Sequence, residues 1–113
     1  MEKDFSQTLL GAYNQVWPDV HIGPEQAVQA AIDLNAKLIL PVHWATFSLA
    51  LHSWTEPGER ILVSADKSNV KVALPRSGES FEPTSQNGYP NQKWWPDIPW
   101  ESAEKSPIVS SGL

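Results

Sequence analysis

The chain has no cysteine among its 113 residues, so a disulfide framework and a thiolate zinc cluster are both excluded. Any metal must be held by His and carboxylates. Basic charge is also scarce: eight Lys and Arg stand against 13 Asp and Glu, for a net charge of -5, and they form no stripe. That excludes nucleic acid as a partner, because nothing is arranged to neutralise its phosphates. No stretch approaches the about 18 consecutive apolar residues of a membrane span. The start Met1-Glu2-Lys3-Asp4 lacks the basic and apolar regions of a signal peptide. A chain with no transmembrane segment, soluble and with the cytoplasm as its favoured compartment, is the expectation. No internal repeat and no phosphate-cradling Gly-rich loop occurs, and the length suits one modest domain.

What is present alternates between the two periodicities. Thr8 to Tyr13 reads as a short strand leading into a loop with Asn14, Pro18 and Asp19. Gly23-Pro24-Glu25-Gln26 then offers a helix start, with Pro at the first helical position and an acid in the first turn. Ala27, Val28, Ala31, Ile32 and Leu34 recur at helical spacing, and Asn35 is the predicted stop. The run Lys37-Leu38-Ile39-Leu40-Pro41-Val42 lacks polar alternation and reads as a strand buried on both faces. Phe47, Ala50, Leu51 and Trp54 predict a helix from about Thr46 to His52, with Thr46 as its cap. Pro57 and Gly58 interrupt that pattern, a second helix is predicted over Glu59 to Asp66, and Ser68-Asn69 turns the chain. Val70 to Leu74 reads as the last strand, ended by Pro75 and Gly78. The order implies an α/β fold with a partly parallel sheet, in which three short strands are few to shelter both faces.

From about Glu79 the composition shifts to Ser, Pro, Asn, Gln and Gly, with Trp94, Trp95 and Trp100 among the prolines. Residues 1–78 and 79–113 are therefore set apart as a domain portion and an irregular Pro/Trp-containing tail. Three indoles are costly to leave in water, so the tail is expected to pack on its own domain or on a partner.

The candidate chemistry lies at His43, which ends the run of the central strand, because ligands of such sheets gather beyond the carboxyl ends of the strands. His21 stands 22 residues earlier, just before the predicted helix. Three stretches then fall in order: Gly11-Ala12-Tyr13, His21-Ile22-Gly23-Pro24-Glu25-Gln26-Ala27-Val28, and Pro41-Val42-His43-Trp44-Ala45-Thr46-Phe47. Over roughly residues 9 to 63 the chain resembles the carboxyl-terminal part of the metallo-β-lactamase-fold hydrolases. Within that family it is most similar to the N-acyl-phosphatidylethanolamine-hydrolysing phospholipase D branch and its bacterial relatives. Leu51-His52-Ser53-Trp54-Thr55-Glu56-Pro57 resembles the bacterial branch, where a Trp and a Glu-Pro pair follow the second histidine motif.

The resemblance implies a partial αβ/βα sandwich, the carboxyl-terminal half only, from a zinc-dependent hydrolase acting as a phosphodiesterase or lactonase. His43 would be the last metal-ligating histidine, and His21 would bind the substrate phosphate. Two zinc ions belong to the complete family site, whose other ligands lie in an upstream His-x-His-x-Asp-His loop, another His and a bridging Asp. This chain lacks that loop and is incomplete for catalysis alone. The implied partners are a missing amino-terminal half, or a second copy of the chain, and a small-molecule or lipid phosphodiester. Two positions depart from the pattern. Ala45 stands where the family usually has Gly, leaving the backbone less free to adopt positive φ, and Ala31 stands where the phospholipase has a further His.

Other readings of the same residues stay open. Taken alone, a His at a strand end is more often a hydrogen-bonded structural residue, and His21 has an equally good loop or capping role. His52 reads as a solvent-facing helix-end residue, Phe47 as core, and Trp44 as either core or the wall of an acyl pocket. Glu56 and Glu59, beside Arg60, read as solvated or ion-paired surface acids. The alternative for the whole chain is a non-catalytic binding or oligomerisation module derived from the same fold, with an unpaired sheet edge that meets a copy of itself.

Overall fold

The computed structural model describes residues 5–9 (backbone), 13, 22–45, 52–82 and 89–109. Among the described residues five elements follow one another: β1 (Phe5–Leu9), α1 (Pro24–Asp33), β2 (Leu38–Val42), α2 (Glu56–Ser68) and β3 (Lys71–Val72). The strands form one sheet in the order β1-β2-β3, and both pairings are parallel. The fold is therefore mixed α/β, with a helix in each connection between parallel neighbours, as parallel pairing requires. Among the described residues, no helix is long and apolar enough to cross a membrane.

Helix α1 begins where its sequence dictates. Gly23 is the cap residue, its N–H donates to Oε1 of Gln26 at 2.9 Å, and Pro24 takes a first-turn position that needs no donor. Ala27, Val28 and Ala31 are buried on one face. The helix ends at Asp33, Asn35 adopts the left-handed conformation at φ +55°, and the Ala36 N–H returns to the Ala31 carbonyl. Strand β2 follows, and Ile39 stands in register with Val72 of β3. These two meet Ala27, Val28 and Ala31 of α1 and Ile61 and Ala65 of α2 in a single apolar cluster.

Three elements differ from the sequence expectation. Strand β1 covers Phe5–Leu9, starting before the expected Thr8, because pairing with β2, Phe5 opposite Leu38 through Leu9 opposite Val42, selects the register; of the rest of the expected strand, residues 10–12 lie outside the described residues and Tyr13 is not in a strand. Helix α2 begins at Glu56, three residues before the predicted start. Pro57 and Gly58 sit inside its first turn, where the missing proline N–H is one that no helical carbonyl would accept. The predicted helix from Thr46 lies outside the described residues over 46–51, and His52 at its far end is not helical. Strand β3 is shorter than expected: the Ala73 N–H still donates to Ile39, but that of Leu74 turns to the carbonyl of Pro90 at 2.6 Å.

That hydrogen bond marks the arrival of the chain beyond 79. Its described residues contain no helix or strand, yet they run as a strap across α2 and the start of α1. The Trp94 indole donates from Nε1 to the Leu74 carbonyl at 2.9 Å, and Trp95 is 4% exposed within the main cluster. Ile108 closes over Gly23 at the start of α1. A chain this short has a small core, and the buried indole adds substantially to it. Trp95→Ala should lower stability by about 3–5 kcal/mol. A fall in the urea midpoint at unchanged m-value is the expected reading; an unchanged midpoint would show that the strap contributes nothing to the core.

Candidate functional site

His43 follows directly on β2, at the carboxyl end of the central strand, and is exposed. Its backbone is left-handed, with φ +67°, and Ala45 two residues later is left-handed as well, with φ +69°. A non-glycine residue in that region costs about 1 kcal/mol, so the surroundings must hold both. Ala45 thus adopts the backbone that glycine takes freely, although its Cβ argues against it. Trp44, between the two, is half-buried and turns toward the core rather than standing clear of it. Its ring lies 5.2 Å from that of Trp95, nearly perpendicular, and 5.9 Å from Trp94, which in turn approaches Trp54 at 6.5 Å.

His21 lies outside the described residues. Its neighbour Ile22 packs against the core, and Gly23 caps α1. His52 departs from its reading as a solvent-facing helix-end residue. Its ring is stacked on Tyr13, with centroids 4.2 Å apart and 14° between planes. Its Nδ1 lies 2.9 Å from the Ser53 carbonyl, which can only accept, so Nδ1 is the donor there and the other ring nitrogen is Nε2. That Nε2 is enclosed and has no hydrogen-bond partner among the described residues.

Beneath these residues lies a buried polar assembly that sequence reasoning missed. Glu56 and Glu59, read as surface acids, are 3% and 9% exposed. Glu56 accepts the Tyr13 hydroxyl at 2.7 Å and the Glu101 backbone N–H at 2.9 Å. Glu59 accepts the Trp95 indole N–H at 2.9 Å and pairs with Lys93. Arg60, 1% exposed, donates through Nε and Nη2 to the two oxygens of Glu25, at 3.0 and 2.6 Å, and through Nη1 to the Ser106 carbonyl at 3.0 Å. The spacing of Glu56 and Arg60, four residues apart on one helix, was the available signal. The cover that buries them comes from the strap, which carries no periodicity to announce it.

Burial pushes the Tyr13 hydroxyl well above the ordinary phenol value, and donation to the Glu56 carboxylate pushes it further. For Arg60, burial opposes the charge, but the two-pronged contact with Glu25 outweighs it and holds the guanidinium above its ordinary value.

Among the described residues, no group of three or more His, Cys, Asp or Glu side chains comes together as a metal site. His43 is a single donor at a strand end, and the described residues do not by themselves make a home for zinc.

The chain is 45% identical over 96 residues to the uncharacterized protein Rv0906 of Mycobacterium tuberculosis and, equally, to the uncharacterized protein Mb0930 of Mycobacterium bovis. Each match covers 80% of this chain and 25% of the relative. The chain therefore spans about a quarter of the length of the curated relatives it matches. No family model matches the sequence, and no solved structure matches it.

The raised Tyr13 pKa fixes a sign for alkaline stability. The folded state holds the phenolic proton more tightly than the unfolded chain, so this contribution is complete below the ordinary value of 10.0 and is lost as pH rises above it. Its slope should approach about 1.4 kcal/mol per pH unit. Urea midpoints measured between about pH 9 and about pH 11 should fall more steeply for the native chain than for Tyr13→Phe; equal slopes would place the phenol in water.

Proposed function

We propose that the chain is the carboxyl-terminal part of a zinc-dependent metallo-β-lactamase-fold hydrolase, a phosphodiesterase of the phospholipase D-like kind or a lactonase. The observation that carries this reading is the turn after β2. An exposed His43 sits at the carboxyl end of the central parallel strand, followed by a left-handed Ala45 where the resembling family has glycine. Parallel sheets gather their ligands at that end, and a left-handed position two residues on is what the glycine of the motif would serve.

In this reading His43 supplies one imidazole to the metal centre, and His21, just ahead of α1, binds the phosphate of the substrate. The remaining metal ligands come from polypeptide outside this chain, for which the longer mycobacterial relatives have ample length. The chain alone is then a scaffold with one ligand rather than a complete enzyme.

The test is to replace the matched segment of the M. tuberculosis relative with this chain, then measure bound metal and hydrolysis of bis(4-nitrophenyl) phosphate and of a simple lactone. Metal-dependent turnover is expected, and His43→Ala should reduce it by about 100-fold or more, with loss of bound metal. A folded hybrid that binds no zinc and turns over neither substrate would sink the reading.

A further inference from the structure

We infer that the glycine notch on α2 positions His43: Gly58 leaves the space in which Trp44 lodges, and the lodged indole holds the left-handed turn that carries the histidine. The inference rests on the reading of His43 as the site residue for its importance, but its geometry is independent of any metal or substrate.

Three observations meet here. A Cβ placed on Gly58 would stand 2.7 Å from both Cη2 and Cζ3 of Trp44, and 2.7 Å from Cη2 of Trp95. No side chain fits without moving an indole, so the ring of Trp44 lies directly on the backbone of the first turn of α2. Second, Trp44 is flanked on both sides by left-handed residues, His43 at φ +67° and Ala45 at φ +69°. Left-handed non-glycine residues persist where their surroundings hold them, and the side chain between these two is held from outside the turn. Third, the indole is clamped from its other directions by Trp95 at 5.2 Å and Trp94 at 5.9 Å, and these are themselves tied down through Glu59 and the Leu74 carbonyl. The wedge is therefore packed between Gly58, Trp94 and Trp95, and the backbone on either side of it follows.

Gly58 and Trp44 act in this way as positioning residues, through the backbone of His43. Glycine is needed at 58 for space and not for conformation, since it lies within a regular helical turn. That separates this position from the glycines of turns and predicts that a single methyl group there is felt at His43.

The experiment is solution NMR of the labelled chain as it stands, without metal. A strong intraresidue HN–Hα cross-relaxation, which positive φ produces, should be present at His43 and Ala45 in the native chain. It should be lost at both in Gly58→Ala, together with a shift of the His43 imidazole resonances. Trp44→Ala, which introduces no clash, should lose the same signature. Val28→Ala, a buried change on α1, should lower stability and leave the signature in place. Retention of the left-handed signature in Trp44→Ala or in a folded Gly58→Ala, or its loss in Val28→Ala, would overturn the inference. Failure of the hybrid to hydrolyse phosphodiesters would leave this result untouched, so the two readings fail separately.

Discussion

A guanidinium with almost no solvent contact needs partners in several directions, and those of Arg60 come from separate parts of the chain. Glu25 reaches it from α1, the Ser106 carbonyl from the strap, and Glu56 from its own helix at 3.6 Å. The Tyr13 ring lies 5.3 Å from its Cζ, near enough for a cation–π contact. Taking charge out of water is unfavourable by several kcal/mol per ion unless geometry is good and every lone pair is met. Here two carboxylates meet one guanidinium, and the surplus negative charge on Glu56 is relieved by the Tyr13 hydroxyl and the Glu101 N–H. Removing Arg60 would leave the buried Glu56 without its cationic partner, and the guanidinium ties α1 to α2 beside their small apolar faces.

The apolar part of the structure depends on the same strap. The three short parallel strands and two helices of the described residues offer little area for burial, and the alanines of α1 permit a close approach to α2 without filling much volume. The indoles of Trp44, Trp94 and Trp95 add that volume at one end, packed edge to face or tilted with centroids between 5.2 and 5.9 Å. Because two of the three arrive on the strap, the segment without periodicity is where much of the tertiary specificity resides. Just beyond β3, the Leu74 N–H turns to the Pro90 carbonyl on the strap.

Where structure follows from local chemistry, the sequence was readable. Gly23-Pro24-Glu25 announced α1, Asn35 and Asn69 both adopt the left-handed backbone that ends their helices, and the apolar run before His43 is the central strand. Where structure follows from distant contacts, it was not. The first turn of α2 was hidden because Pro57 and Gly58 look like breakers, although one needs no donor there and the other makes room for an indole arriving from β2. Glu56, Glu59 and Arg60 looked like a solvated charge cluster because their burial is completed by residues 93 to 106, about 35 or more positions further on. His43 was legible as a strand-end residue, but the left-handed turn around it depends on a tertiary wedge that no window of sequence contains.

The first turn of α2 is where the resembling stretches meet. Glu56 takes the hydroxyl of Tyr13 from the first of them, Glu56 and Glu25 share Arg60 and so bring in the second, and Gly58 receives Trp44 from the third. Stretches that lie tens of residues apart in the chain therefore brace a single helix end. Packing and hydrogen bonding explain why these positions carry a phenol, a carboxylate, an indole and a glycine. His43 is exposed at the rim of the sheet, while the indole next to it packs against the core. A framework that fixes the backbone of a residue on its outer edge, with a strained turn to do so, spends stability on orientation.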